Sequence, residues 1–245
     1  MENAQLISLS RQIALQRQMD VVANNMANIN TAGYKNVDIL FEEYVMPVAR
    51  HKDFKALDQP LSFTQDWATI DNFAAGSIEL TGNDLDMAIQ GEGFFVIQTP
   101  GGERYTKNGS FQLNQRGELV TSEGFNVLAD GGFLTFAPEE TGIVVTKDGR
   151  VSTSLGEKGI LRIAEFDDPQ SLKREGDTTF SGENPIFDNA SHLVHKALER
   201  SNVSGVSEMT EMIRVTRAYT SMANLQQKQD ELRRSAIKRL GDLKA

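Results

Sequence analysis

Residues 15–36 read LQRQMDVVANNMANINTAGYKN. Within them Leu15, Met19, Val22, Met26 and Ile29 are spaced 4-3-4-3, the apolar seam of a coiled coil. Asn24, Asn25, Asn28 and Asn30 interrupt that pattern, although asparagine is a poor helix former whose amide competes for nearby backbone groups. Gly33 suits the left-handed position that closes a helix, and is expected to be its cap. Upstream, Leu6, Leu9 and Ile13 are also helically spaced, but at about 100° per residue they lie nearly opposite Val22. A helix packed on one core keeps one stripe. Two stripes imply neighbours on two sides.

The far end mirrors this pattern. From Val215 the seam runs through Ala218, Met222, Leu225, Gln229, Leu232, Ala236, Arg239 and Leu243, and Val206, Met209 and Ile213 sit on a related stripe. Ser204-Gly205 followed by Ser207-Glu208 reads as a helix start. No proline follows Pro185, so a helix of roughly 35 residues is expected, long for a globular domain.

Between the helices the period changes. Phe94-Phe95-Val96-Ile97 is a short apolar strand, and Pro100-Gly101-Gly102 turns it into Arg104-Tyr105-Thr106. Asn108-Gly109 and Asp148-Gly149 are hairpin dipeptides, where two residues of positive φ are wanted. Ile143–Thr146 and Arg150–Thr153 flank the clearest hairpin. The fold class is therefore α+β: a mainly antiparallel β central domain over 76–194, with long N- and C-terminal helices that pair as a coiled coil on assembly. Residues 1–40 with 195–245 make the terminal helical domain. Residues 41–75, holding Pro47 and Pro60, read as an extended connector, with Trp67 as a packing anchor.

Composition narrows the function. No apolar run approaches the ~20 residues that span a bilayer, so membrane insertion is not expected. The N-terminus lacks the basic and apolar regions of a secretory signal. Absence of cysteine removes disulfides and thiolate chemistry. The net charge of −9 is concentrated in the middle, because residues 192–245 carry ten Lys/Arg against six Asp/Glu. An acidic middle argues against nucleic acid as a partner, since phosphate binding needs a basic surface.

Candidate chemistry is sparse. His192 and His195 are three apart, compatible with metal on a helix, but a structural site usually wants four ligands; no metal and no cofactor is expected. His51 stands alone. Gly91-Glu92-Gly93 starts like a dinucleotide motif, yet a strand follows where a helix should begin. Asp84 and Asp86 could serve as paired carboxylates for glycoside chemistry, and a cell-wall hydrolase is the alternative to a non-enzymatic, self-assembling structural subunit. A filled β core would dismiss the hydrolase.

Three blocks carry a resemblance. VVANNMANINTAGYK resembles the N-terminal signature of the flagellar basal-body rod, hook and hook-associated proteins. Residues 76–128, from GSIELTGNDLDMAIQGEGFF onward, are similar to the central segment shared by rod and hook subunits, and residues 201–232 to the family's C-terminal helix. The opening and the modest length look most like F-type members of the proximal rod; distal-rod and hook members are the nearest rivals. The resemblance implies a structural subunit of the periplasmic rod that carries motor torque to the hook, exported by the flagellar type III apparatus without a cleaved signal. Its implied partners are other rod subunits, that export apparatus, and basal ring or adaptor proteins. In a tube of packed helices an Asn amide donates and accepts across an interface, so Asn24, Asn25 and Asn28 are expected to fix register with several neighbours. Burying the seam of residues 15–29 returns less than ordering its backbone costs. Both chain ends are therefore expected to be mobile alone and to order among neighbours. The assembly interface expected is Leu15, Met19, Val22, Asn24, Asn25, Met26, Asn28, Ile29, Val215, Met222, Leu225 and Leu232.

Overall fold

Phe94, Phe95, Val96 and Ile97 are all buried, and their strand, Phe94–Thr99, lies at the centre of a nine-stranded antiparallel sheet. The computed structural model describes residues 2–45, 62–187 and 191–242, with side chains for 6–45, 68–187 and 191–239. Side chains alternate across a strand, so a strand apolar at every position must be covered on both faces. Phe95 and Ile97 enter one core with Met87, Phe111, Val127 and Val151. Phe94 and Val96 enter a second with Tyr105, Phe166 and Phe180. Edge-on ring pairs lock both, Phe95 with Phe111 at 5.0 Å and Tyr105 with Phe166 at 4.8 Å.

The main path of the sheet runs through strands 173–174, 179–181, 102–106, 94–99, 126–129, 119–121 and 111–113, with 132–133 and 163–164 paired off it. Smaller sheets join Val144–Val145, Arg150–Thr153 and Gly156–Ile160, then His192–His195 with Met87–Gln90, and Ala197–Glu199 with Ile78–Leu80. The antiparallel β middle is as the sequence indicates. Its turns differ in detail. At Asp148-Gly149 only Gly149 has positive φ, and the amide of Gly149 donates to the carbonyl of Thr146, a longer loop closed by one left-handed glycine rather than a two-residue turn. Gly109 has no positive φ. Its backbone instead lies against Met87, whose amide donates to the Gly109 carbonyl.

The chain divides into two compact units, one of Met1–Met26, Val37–Ile70 and Gly205–Ala245, the other of Ala27–Asn36 and Asp71–Ser204. Residues 27–36 and 195–204 thus lie with the β unit rather than with the helices. The expected connector contains strands: Val37–Val45 pairs with Ser62–Asp71. Residues 46–61, with His51, and the Trp67 side chain lie outside the described residues.

In the first unit, helix α1 spans Glu2–Ala27 and helix α2 spans Gly205–Asp242, 38 residues. Gln18 Nε2 donates to Glu211 Oε1 at 2.6 Å, Thr216 Oγ1 to Met19 Sδ at 3.8 Å, and Asn25 Nδ2 to Glu208 Oε2 at 3.4 Å. Met19 beside Thr216 and Asn25 beside Glu208 make the two helices antiparallel. Among the described residues of this unit only Ala14, Val22 and Val215 are fully buried apolar side chains. The β unit holds all the others.

Candidate assembly surface

The seam expected on α1 is partly covered within the subunit. Val22 is buried, Leu15, Met19, Met26, Asn28 and Ile29 are half-buried, and Asn24 is exposed. On α2 Val215 is buried and Met222 half-buried, but Leu225 and Leu232 are exposed. Beyond Met222 the sheltered positions are Ala223, Gln226, Gln229, Asp230 and Arg233; Gln229 belongs to the expected series, and the other four stand one residue past it. A straight helix drifts about 20° per heptad from a 3.5-residue repeat, which carries Leu225 and Leu232 to the open side. Leu243 is outside the described residues.

The second stripe is bare. Leu6, Leu9 and Ile13 face solvent on α1, and Val206, at 80% exposure, leads Met209 and Ile213 on α2. Leu40, Phe41, Tyr44 and Val45 of the strand Val37–Val45 are exposed as well. Exposed apolar side chains of this size on two helices and a strand are candidates for an interaction site.

The asparagines divide their work. Asn25 is 1% exposed; its Nδ2 donates to the carbonyl of Val37 at 2.9 Å and its Oδ1 accepts the amide of Val37 at 3.1 Å. That pair copies the exchange between two strands and anchors the start of the Val37–Val45 strand. Asn25 is therefore engaged inside the subunit, which corrects its expected role across an interface. Asn28 closes the turn after α1, where the Thr31 amide donates to its carbonyl and Thr31 Oγ1 to its Oδ1.

Gly33 is not the helix cap. Helix α1 ends at Ala27, and Gly33, at φ +67°, donates its amide to the carbonyl of Glu199. A Cβ there would sit 2.3 Å from the backbone of Lys107 and Asn108, so close approach as well as dihedral demands glycine. The next residues are the ones sequence reasoning missed. Tyr34 is fully buried, and Lys35, 1% exposed, bonds Glu199 Oε1 at 2.7 Å and the carbonyl of Ala74 at 2.8 Å. Glu199 Oε1 also accepts the Gly76 amide at 2.8 Å, while its buried Oε2 has no partner among the described residues. Arg174 bonds Asp71 and the carbonyls of Lys35 and Asp177, stacked near Tyr34 and Phe180. Asn202 bonds the Asn36 amide and the carbonyls of Asn72 and Ala74. Segments 33–36, 71–76 and 199–202 are thus tied together inside the β unit. Only a lysine closing an apolar signature hinted at this, and its partner is 164 positions away.

The residues considered for catalysis have structural partners. Asp84 is paired with Lys196 at 2.5 Å, whose ammonium holds the carboxyl below the usual range. Asp86 is buried and accepts Asn83 Nδ2 at 2.9 Å. His192 and His195 lie on a strand, not a helix, so a three-residue spacing turns them to opposite faces; His195 Nε2 meets the carbonyl of Asp84 at 2.9 Å.

Comparison with known proteins agrees with this organisation. Residues 6–35 match the family described as flagella basal body rod protein, residues 88–153 the flagellar hook protein FlgE/F/G D1 domain, and residues 194–239 the flagellar basal body rod FlgEFG protein C-terminal region. The chain is similar to the flagellar basal-body rod protein FlgF of Caulobacter vibrioides, 40% identical over 251 residues that cover 99% of this chain and 100% of the relative. It is similar to FlgF of Mesorhizobium japonicum at 32% identity, covering 98% and 99%. To the rod protein FlgG of Borreliella burgdorferi it is 33% identical, covering 84% and 86%. With three matches in chain order and relatives aligned end to end, the chain belongs to the flagellar basal-body rod protein family, of the F type, and is a structural subunit of that rod.

Proposed function

We propose that this subunit assembles with its neighbours in the rod through the bare stripes of its terminal helices, and that the packed helices carry motor torque toward the hook. The β unit, closed by its own two cores, acts as an acidic spacer and lateral contact, without a catalytic role. The rod segment is the proximal one, in the periplasm, reached by flagellar type III export without a cleaved signal; that apparatus and the basal ring or adaptor proteins are the further partners. The observation that carries the reading is the contrast between units: the β unit closes two buried cores even though Leu80, Phe133, Val144 and Leu155 are exposed, whereas among the described residues the helical unit fully buries only Ala14, Val22 and Val215 and leaves Leu6, Leu9, Ile13, Val206, Met209 and Ile213 open.

The stripe variants Ile13→Asp and Met209→Asp test it. Each replaces an exposed side chain, so the folded subunit should change by no more than about 0.5 kcal/mol. Rod assembly and motility should be lost. Normal rods built from either variant would refute the stripe as an interface.

A further inference from the structure

Lys107 is a buried cation that the assembly surface does not use. It is 3% exposed. Its Nζ donates to the carbonyl of Gly91 at 2.7 Å and lies 5.0 Å from the centre of the Phe94 ring. An ammonium has three donors, and no carboxylate among the described residues forms an ion pair with this one. The acidic groups that act on it are already occupied or open to water. Glu199 is bonded to Lys35 and Gly76, Glu165 to Ser191, and Glu92 is exposed. The buried set Lys35, Lys107 and Glu199 therefore holds two positive charges against one negative. Burial, the largest effect, brings the Lys107 ammonium down to about 8.

Lys107 lines a cavity of about 370 Å³ with Phe73 and Phe94 as aromatic walls and Asn72, Gln170 and Glu92 as polar members. We infer that this cavity is a socket for a carboxylate, filled in the assembled rod by an Asp or Glu side chain of a second copy of the chain. An anion is what a buried ammonium with no ion pair favours, because opposite charge at close range restores the charged form that burial disfavours. The rings suit the methylene stem of an acidic side chain, and the two amides can donate to its second oxygen. A second copy supplies such groups in excess: the β unit carries twelve Lys/Arg against twenty-one Asp/Glu. The choice of occupant rests on the rod-subunit reading; the carboxylate chemistry does not.

The test uses the full chain with isotope-labelled lysine and sodium propionate as probe, followed by NMR at the Lys107 side chain, which Lys107→Gln identifies. The Lys107 resonance should move saturably and its pKa should rise by about one unit or more. A response no greater than that to sodium chloride would overturn the socket. Binding of propionate only in Glu92→Gln would overturn it too, by making Glu92 the resident occupant. In cells, Lys107→Gln should cut incorporation into rods at least about tenfold, while purified Lys107→Gln keeps its folded β unit. Normal incorporation would overturn the second copy as occupant. The propionate measurement needs no assembly, so its failure leaves the stripe reading intact, and normal rods from Ile13→Asp would leave propionate binding intact.

Discussion

Glu199→Gln should be the most damaging conservative change in the β unit, and the reason is a charge count. In the native cluster one buried carboxylate faces Lys35 directly and also acts favourably on Lys107. Replacing it with an amide leaves Lys35 without its ion-pair partner and Lys107 with only the weaker influence of Glu92 and Glu165. Breaking a buried pair by removing one partner costs about 3–5 kcal/mol, which for a unit of this size lowers the melting temperature by roughly 10 °C or more. Lys35→Met removes the same ion pair yet should cost less, because Lys107 remains as a cation beside the carboxylate. Adding Lys107→Met to Glu199→Gln should recover part of the loss. Urea unfolding followed by circular dichroism, with amide exchange at Phe95, Val96 and Ile97 reporting the core, measures all four proteins. A Glu199→Gln variant within about 1 kcal/mol of the parent, or a Lys35→Met variant more damaged than Glu199→Gln, would refute the charge-cluster reasoning.

Lys107 carries a pH signature of its own. Its folded pKa of about 8 lies below the ordinary 10.5, so the unfolded chain binds the extra proton between those values and stability rises with pH there. Below pH 8 the penalty is fully present, up to about 3 kcal/mol before the lost Gly91 bond is counted. Lys107→Met should therefore be more stable than the parent at pH 7, with an advantage that shrinks from pH 8 to 10; an advantage that grows would contradict this. Gly33→Ala should destabilise the β unit by about 3 kcal/mol or more, since the new methyl meets the backbone of Lys107 and Asn108. Unfolding equilibria unchanged by Gly33→Ala would show that the turn relaxes.

How much of this could be read from the chain depended on range. The helices were legible because apolar spacing is local, and Leu6, Leu9 and Ile13 could be set apart from Val22 by angle alone. The strand at Phe94–Ile97 declared itself by four consecutive apolar residues. On the distal seam of α2 the repeat in the sequence outlasts the face covered within the subunit, so Leu225 and Leu232 stay open. Asn25 looked like an intersubunit donor because nothing local shows that Val37 returns to meet it. Gly33 looked like a cap for the same reason. Its constraint comes from Lys107 and Asn108, more than seventy positions on. Lys35, Glu199, Arg174 and Asn202 form a cluster only in three dimensions, and burial of charge cannot be read from composition. The pairing of Val37–Val45 with Ser62–Asp71 was hidden because the prolines between them in the sequence read as irregular chain.

The helical unit should depend on its neighbours for its order. With Ala14, Val22 and Val215 as its fully buried apolar side chains among the described residues, it has little to set against the entropy of ordering two long helices. Amide exchange of residues 6–29 and 206–239, measured on purified monomer and on assembled rods, is the direct comparison. Rapid exchange in the monomer, strong protection in the rod, and protection of Phe94–Ile97 in both is the expected result. Helices already as protected in the isolated monomer as that central strand would contradict it.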